Sequence, residues 1–329
     1  MDNIASLLSL VQNLSHQHSL YQVRIVMNVT SELVKFVRVC LVNKADFHMI
    51  IAFPSKEYFI NYVVICVVNV FLTFSTIFLN ALTVLLYWKS SQLQKKTSYF
   101  LVYLLSLNDL AVGVFSNTLF CMLFFSNFLG YEECLLASWF NISSFFLTGI
   151  SLGTLFVLSF ERYLSIVYPV YHRNKATKRN FLKVTLTVWI VTITAACIWI
   201  AKGTLGRNLT GATLCLSLIA LVYMYAKIFL SSRRIAVYPT STNSEKNGKR
   251  FLQQMKKAKS CLIVVCCTTL CYLPAAVNGF FQQTDFVAVM LRGYWCSTLI
   301  LLASSLNSGI FFWRNLMLRN EAKKILLKS

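Results

Sequence analysis

The sequence has few charged residues for its length. Only 13% of its 329 residues are Asp, Glu, Lys or Arg, whereas 57% are hydrophobic, and the mean hydropathy is +0.63. A soluble globular domain carries about 25% charged residues, because its surface must be covered by groups that interact with water. The shortage of charge argues against an ordinary water-soluble protein and indicates that a lipid bilayer is the solvent.

Residues that usually perform catalysis or bind metal ions are also scarce. The four histidines are scattered: three precede the first apolar stretch, and His172 lies between two later ones. The 11 cysteines form no CxxC pair and lie mostly inside apolar stretches, where cysteine behaves as a small hydrophobic residue. We therefore predict neither a zinc site nor an enzyme, since the sequence offers no nucleophile, base and metal ligands at a common depth.

Acidic residues are far fewer than basic ones. The 31 Lys and Arg against 11 Asp and Glu give a formal net charge of +20. A nucleic-acid-binding protein gathers such cations on one solvated face. Here the cations occur in short clusters between apolar stretches, which is typical of membrane loops. The charge excess therefore predicts anionic membrane lipids, not nucleic acid, as its partner.

Seven apolar stretches are long enough to cross a membrane as helices, for which about 20 residues are needed. They lie at about 58–88, 97–126, 133–166, 179–201, 211–232, 255–281 and 287–312. The sequence thus predicts an all-α membrane protein, with a seven-transmembrane helix bundle at 58–312 that follows an extracellular N-terminal segment at 1–57.

The segment at 313–329 mixes basic and apolar residues. Leu316, Ile325 and Leu326, together with Phe312 just before the segment, alternate with Arg314, Arg319, Lys323 and Lys324. This pattern predicts a short amphipathic eighth helix and tail that lie on the anionic inner leaflet. A frayed cationic tail is the alternative, because the segment is short for an isolated helix.

The distribution of Lys and Arg among the loops predicts the orientation of the bundle. The basic loops follow the first, third and fifth stretches and are expected to be cytoplasmic, whereas the opposite loops are poor in positive charge. The glycosylation sequons at Asn13, Asn28 and Asn208 lie in segments that this rule places outside the cell. We expect a multi-pass glycoprotein of the plasma membrane, with an extracellular N-terminus and a cytoplasmic C-terminus.

Asp109 is the one acidic residue deep inside an apolar stretch. An ionisable group there costs about 2.5–3.5 kcal/mol on insertion scales, so it is a functional-site hypothesis by default. A neutral Asp that only hydrogen-bonds a neighbouring helix is the structural alternative.

Seven short motifs follow one another in a fixed order. FLNALTVLLY contains Asn80, LSLNDLAVG surrounds Asp109, and ERYLSIVYP runs from Glu161 to Pro169. Trp189, Tyr225 with Ile228, CYLP at 271–274 and NSGIF at 307–311 follow. In this order they resemble the helix signatures of rhodopsin-like G-protein-coupled receptors over residues 58–327. The resemblance implies a receptor that binds an extracellular or bilayer-borne ligand and activates a cytoplasmic heterotrimeric G protein.

The resemblance also assigns roles to individual residues in the activation switch. It implies that Arg162 pairs with Glu161 at rest and turns toward Tyr225 and the G protein on activation, with Tyr163 completing the motif. Pro274 is expected to kink the sixth helix, and Tyr272 to act as the toggle; an aromatic core residue is the alternative for Tyr272. The remaining switch positions that the resemblance supplies are Pro169, Val170, Asn307 and Phe311.

A sodium ion is the one bound ion that the resemblance implies, and no other cofactor is expected. Asp109, Ser151, Ser304 and Asn307 match the positions from which the family builds its sodium pocket. Oxygen ligands around a carboxylate suit a hard cation. The family's additional Asn is Ala303 here, and its toggle Trp is Tyr272, and both departures weaken the expected site.

Other departures bear on the ligand. Ser144 stands where amine receptors carry Asp, and Leu301 where opsins carry the retinal Lys, so a lipid, peptide or nucleoside is favoured over an amine or retinal. The short loop KGTLGRNLTG has no Cys, and Ser217 replaces the usual fifth-helix Pro; both features resemble the melanocortin receptors and their lipid- and nucleoside-binding relatives. The pairing of Cys40, Cys134 and Cys296 stays open.

The alternative to a receptor is a multi-span transporter or channel. Such proteins are expected to show internal repeats, broken helices or several charges near the middle of the membrane. This sequence has a single deep carboxylate and no repeat. The order of the motifs therefore favours the receptor.

Overall fold

The computed structural model describes residues 37–42, 45–50, 55–129, 134–202, 204–237, 244–278 and 286–326. Within these residues the chain forms long helices and one small sheet. The strands β1 (Val37–Val42) and β2 (Ala45–Ile50) form an antiparallel pair in which Val37 lies opposite Ile50. This hairpin precedes the bundle and was not predicted from the sequence.

Long helices form the seven spans. The first span is α1 (Lys56–Lys89), and the second consists of α3 (Thr97–Ala111), a π-helical segment (Val112–Asn117) and α4 (Thr118–Phe128). The third to seventh spans are α5 (Cys134–Val167), α7 (Lys178–Lys202), α8 (Thr204–Val237), α9 (Ser244–Asn278) and α10 (Phe286–Arg314). All spanning elements are helices, so the predicted fold class is confirmed.

The lengths and composition of these helices agree with a membrane bundle. Among the described residues, six helices are long and apolar enough to cross a bilayer. The fifth span contributes a shorter apolar helix, Cys215–Ser231. A helix satisfies its own backbone hydrogen bonds, which is why it can cross a hydrocarbon layer.

Two helix boundaries differ from those predicted. The segment expected to be a loop after the fourth span is helical from Thr204, and the sixth span begins at Ser244 instead of near residue 255. Hydropathy marks only the apolar part of a helix, whereas backbone hydrogen bonding continues into polar residues that can still adopt helical angles. The loop between the fourth and fifth spans is consequently shorter than the sequence suggested.

The π-helical segment interrupts the second span one turn after Asp109. Such a segment adds a residue to the turn and changes which side chains face inward. Ser116 and Asn117 are fully buried there, and the Asn117 amide donates to the Thr76 hydroxyl oxygen at 3.5 Å. Gly113 is favoured here, because a Cβ at this position would lie 3.0 Å from Cγ1 of Ile77.

Three short helices lie at the ends of the spans: α2 (Ser91–Gln94), α6 (Pro169–Lys175) and α11 (Leu316–Leu326). Pro169 occupies the first turn of α6, where a missing N–H has no cost. In α11, Leu318 and Ala322 are buried, whereas Lys323 and Lys324 are exposed. This two-sided helix confirms the predicted eighth helix.

The interior contains two large apolar clusters. One surrounds Leu158, Tyr225 and Phe311 and lies beside Arg162; we call this part of the bundle the Arg162 end. The other is rich in rings, including Tyr62 and Phe124, and we call it the aromatic end. The aromatic end begins near Tyr58, at the start of the first span, so the two clusters lie toward opposite faces of the membrane.

Candidate functional site

The carboxylate of Asp109 is fully buried in the middle of the bundle. Ser151 of the third span donates its hydroxyl to Oδ1 of Asp109, and the Asn307 amide of the seventh span donates to Oδ2 at 3.0 Å. Ser304 lies close to the same carboxyl group. All four residues of the predicted sodium pocket therefore meet around one carboxylate.

The orientation of Asn307 decides how these residues could hold a cation. Its Nδ2 faces Asp109, while its Oδ1 accepts a hydrogen bond from Thr268 at 3.2 Å. Reversing the amide would place its oxygen against the carboxylate, which is repulsive unless a cation lies between them. The residues fit a hard cation through the carboxylate and the two serine oxygens, and Asn307 positions the carboxylate.

A second polar network connects the first, second and seventh spans next to this pocket. The Ser308 hydroxyl donates to Oδ1 of Asn80, and the hydroxyls of Ser308 and Ser106 lie 3.1 Å apart. The Asn80 amide donates to the Ser304 backbone oxygen at 3.3 Å. Ser308 stands at the position of the proline in the family motif, and its hydroxyl gives the seventh span an extra hydrogen bond to the first span.

Trp189 connects the fourth span to the same level of the bundle. Its indole N–H donates to the Thr154 hydroxyl at 2.9 Å, and the Asn108 amide donates to the same oxygen at 2.9 Å. The second, third and fourth spans therefore meet at the Thr154 hydroxyl. This contact fixes the position of Asn108, the residue before Asp109, along the second span.

At the Arg162 end, Glu161 and Arg162 form a buried ion pair. Nε of Arg162 lies 3.1 Å from Oε2 of Glu161, and the two side chains are 5% and 1% exposed. The other carboxylate oxygen accepts from the Ser98 hydroxyl at 3.1 Å and contacts Nε2 of His172 at 3.0 Å. This carboxylate is thus held by groups from the second span, the third span and α6.

Tyr225 does not hydrogen-bond Arg162 in this arrangement. Its hydroxyl donates to the Ser159 hydroxyl at 3.4 Å. The predicted pairing of Arg162 with Glu161 is present in the structure, and the turn of Arg162 toward Tyr225 on activation stays a prediction.

The remaining residues of the ERY segment lie at the surface of this end. Val170 in α6 is 74% exposed, next to the exposed Tyr171. The Tyr163 ring is half-buried and packs edge-on against Tyr168, with ring centroids 5.8 Å apart. Pro169 and Val170 are therefore both exposed, and a contact of these residues with a partner stays a prediction.

Tyr272 and Pro274 lie in the sixth span as predicted. The Tyr272 hydroxyl donates to the Thr148 backbone oxygen of the third span at 3.3 Å, and its ring packs with Ala303. Pro274 lies inside α9, where it removes one backbone hydrogen bond. Tyr272 thus joins the sixth span to the third just beside the weakened turn.

A cavity of about 400 Å³ opens at the Arg162 end. Its wall includes the cations Lys96, Arg162 and Arg314 together with the apolar side chains of Leu158 and Phe311. Phe311, the predicted switch residue of the seventh span, is itself buried in the apolar cluster at this end. The cavity is thus lined by both positively charged and apolar side chains.

Several predicted residues fall outside the described side chains. Asn13 and Asn28 lie in the undescribed residues, and only the backbone of Asn208, within α8, is described. Glycosylation at these positions stays a prediction. The side chains of Cys40 and Cys134 are likewise undescribed, whereas Cys296 is a buried free thiol.

Sequence reasoning missed several partners of the predicted residues. Ser98 and His172 hold Glu161, and Thr268 orients Asn307. Serine and threonine occur in every span, and nothing in their local pattern, or in that of His172, marks which of these residues reaches across to another helix. Only the packed arrangement shows these contacts.

Comparison with known families agrees with this geometry. The family described as 7 transmembrane receptor (rhodopsin family) matches residues 79–217, from Asn80 through the ERY segment to the fifth span. No curated protein matches the chain significantly. The family match gives no support to a transporter or channel, and over residues 79–217 the chain is similar to rhodopsin-like G-protein-coupled receptors.

Proposed function

We propose that this receptor activates a heterotrimeric G protein through Arg162, and that the ion pair with Glu161 holds the resting state. The observation that supports this proposal is the position of the pair. It is buried, yet it borders the open cavity at the end of the bundle. A charge in such a place can be released toward a partner by a small movement of the neighbouring spans.

The cavity suits the end of a helix from the partner. An amphipathic helix binds in a groove that has an apolar floor, and the three cations of the wall attract a terminal carboxylate. The exposed Val170 on α6 lies outside the cavity and adds a second apolar contact. Proteins of the rhodopsin family are generally receptors without enzymatic activity, which agrees with such a binding role.

The proposed orientation puts the Arg162 end in the cytoplasm of cells that display the receptor at the plasma membrane. The basic loops and the exposed lysines of α11 support it, because cations accumulate on the inner side. A tag at residue 2 should bind antibody on intact cells, whereas a tag after Ser329 should require permeabilised cells. Detection of both tags on intact cells contradicts the proposed orientation.

For the ligand we propose a lipid, a small peptide or a nucleoside, as in the melanocortin receptors and their relatives. Ser144 of the third span offers no carboxylate to an amine, and the aromatic end is lined by rings and aliphatic side chains. Second-messenger assays with panels of these three classes test the proposal. A response to amines alone contradicts it.

Arg162→Ala tests the function directly, with Arg162→Lys as the matched variant that keeps the charge. Alanine supplies neither charge nor fork geometry, and lysine supplies only the charge. We expect Arg162→Ala to lose nucleotide exchange on the G protein and Arg162→Lys to retain part of it, at equal surface expression. Full exchange by Arg162→Ala rejects the assigned role.

A further inference from the structure

A single non-helical residue, Asn315, joins the seventh span to α11. The helix α10 ends at Arg314, and α11 begins at Leu316. Oδ1 of Asn315 accepts a hydrogen bond from the backbone N–H of Met317 at 3.1 Å. This N–H is one of those that the first turn of a helix leaves without a partner inside the helix. The Asn315 side chain therefore caps α11.

The second span holds the same oxygen through Tyr99. The Tyr99 hydroxyl donates to Oδ1 of Asn315 at 3.0 Å. Because a backbone N–H can only donate, the bond from Met317 requires the Asn315 amide to present its oxygen here, and this oxygen can accept two bonds. We call Tyr99 and Asn315 the junction pair, since they connect the second span, the seventh span and α11.

Packing fixes the place from which Tyr99 donates. Tyr99 is 5% exposed and belongs to an apolar cluster that also contains Leu93 of α2 and Leu318 of α11. A ring in such close-packed surroundings has little freedom to turn. Its hydroxyl therefore reaches Asn315 from one direction.

The junction pair lines the cavity of about 400 Å³ beside Arg162. Tyr99 and Asn315 belong to the wall of this cavity, and so do Leu316 and Met317 of the first turn of α11. The direction in which α11 leaves the seventh span therefore decides the shape of this wall.

Apolar packing alone does not determine this direction well. The helix α11 has 11 residues, which is short for a helix that is stable in isolation. Its buried residues Leu318 and Ala322 gain from contact with apolar neighbours, but the hydrophobic effect is non-directional. Hydrogen bonds weaken steeply when their angle departs from linear. The two bonds to the Asn315 oxygen therefore fix the angle of the first turn.

We propose that Tyr99 is a positioning residue that, through Asn315, holds the first turn of α11 as a wall of this cavity and thereby raises the affinity of the receptor for its G protein. This inference rests on the proposed function of the cavity. It assigns the effect to one hydroxyl and one acceptor oxygen, and not to the aromatic ring, which keeps its packing when the hydroxyl is removed.

Tyr99→Phe tests the role of the hydroxyl. Its matched control is Tyr103→Phe, one turn further along the same span, where the ring stacks on Tyr87 with centroids 4.5 Å apart. Nucleotide exchange is measured without ligand against increasing concentrations of purified G proteins from a panel, in membranes with equal amounts of receptor. We expect the half-maximal G-protein concentration to rise about fivefold in Tyr99→Phe, as for the loss of one neutral hydrogen bond, at an unchanged maximum. Tyr103→Phe should match the wild type.

Asn315→Ala, alone and together with Tyr99→Phe, shows whether the two residues act through their common bond. Asn315→Ala removes the cap of α11 and the acceptor of the Tyr99 hydroxyl at once. We therefore expect Tyr99→Phe to add no further change in the double variant, as for two residues that act as a unit.

A second measurement needs no G protein. Spin labels on genetically encoded residues at Arg179 and Lys323, both exposed, report the separation of the fourth span and α11 by electron–electron resonance. We expect a broader distance distribution in Tyr99→Phe. Asn315→Asp should keep the wild-type distribution, because its carboxylate can accept both bonds.

The measurements separate the possible failures. An unchanged half-maximal concentration or an unchanged distance distribution in Tyr99→Phe overturns the proposal, and so do independent effects in the double variant. A lower maximum at an unchanged half-maximal concentration also overturns it, because the hydroxyl then only stabilises the folded receptor. A broader distribution without exchange by the wild type or any variant on any G protein sustains the positioning of α11 and contradicts the proposed function.

Discussion

The two ends of the bundle are held together by different forces. At the Arg162 end, the spans are joined by directional contacts between polar groups, such as those of Glu161 with Ser98 and His172. At the aromatic end, rings pack face to edge, as Phe124 does against Phe120 with centroids 4.8 Å apart. A polar group can exchange one hydrogen-bond partner for another when helices move slightly. Packed rings lose their contacts only when the helices that carry them move apart. We therefore expect switching to occur at the Arg162 end, with the aromatic end contributing mainly to stable assembly.

Phe124→Ala should give the largest effect on stability. The ring is fully buried and lies 4.2 Å from the Tyr62 ring and 5.4 Å from the Tyr294 ring, measured between centroids. Its loss leaves a cavity, and we expect the free energy of unfolding to fall by about 3 kcal/mol. Thermal unfolding of the purified wild type and of the variant measures this loss of stability.

Phe125→Ala is the matched control, because this neighbouring ring is 54% exposed toward the lipid. We expect the unfolding temperature of Phe125→Ala to stay close to that of the wild type. Nucleotide exchange per folded receptor should stay normal in both variants. Equal loss of stability in the two variants would show that the aromatic end does not depend on interior packing.

Gly153→Leu should have the next largest effect, through the contact between the third and fourth spans. A Cβ at this position would lie 2.7 Å from Cγ1 of Val188, a β-branched side chain that cannot rotate away easily. We expect a loss of about 2 kcal/mol in unfolding free energy, typical of overpacking.

Gly293→Leu offers the comparison within the seventh span, since a Cβ at Gly293 meets no atom within 4 Å. The unfolding temperatures of both variants are measured by thermal denaturation with a thiol-independent dye. A larger fall for Gly293→Leu than for Gly153→Leu would reject the close approach of the third and fourth spans.

Asp109→Asn should remove a smaller, sodium-dependent part of the stability. If sodium binds the carboxylate with Ser151 and Ser304, a concentration ten times its Kd stabilises the folded receptor by about 1.4 kcal/mol. We expect sodium chloride, but not potassium chloride at the same ionic strength, to raise the unfolding temperature of the wild type. The Asn variant should show no such rise.

The outcome of the sodium titration separates two roles of Asp109. A sodium-specific rise that persists in Asp109→Asn places the cation elsewhere. No rise in either protein leaves Asp109 as a hydrogen-bonded structural residue, which was the alternative from the sequence.

The sequence was sufficient to predict the helical spans, whereas the roles of the switch residues stay predictions. Uninterrupted apolar stretches of about 20 residues are typical of membrane-spanning helices, and the seven motifs occur in one order. The helix at Thr204 and the early start at Ser244 were missed, because hydropathy does not report helical structure in polar segments. The β-hairpin was missed too, since short strands leave a weak pattern in a sequence dominated by longer apolar stretches.

The contacts around the predicted residues could not be predicted in the same way. The Asn307 amide faces Asp109 with its nitrogen only because Thr268 donates to its oxygen, and these residues lie on three different spans. His172 reaches Glu161 only because α6 folds back after Tyr168. Such contacts depend on helix rotation and loop geometry, which one sequence does not specify.

The central claim is that the buried pair of Glu161 and Arg162 restrains a receptor that acts through Arg162. Glu161→Gln tests it most directly, because glutamine keeps the size and can still accept from Ser98, but it no longer carries the charge that attracts Arg162. Nucleotide exchange without ligand should rise about fivefold over the wild type and vanish again in Glu161→Gln with Arg162→Ala. Exchange that is unchanged by Glu161→Gln at normal surface expression, or that persists in the double variant, would contradict the account.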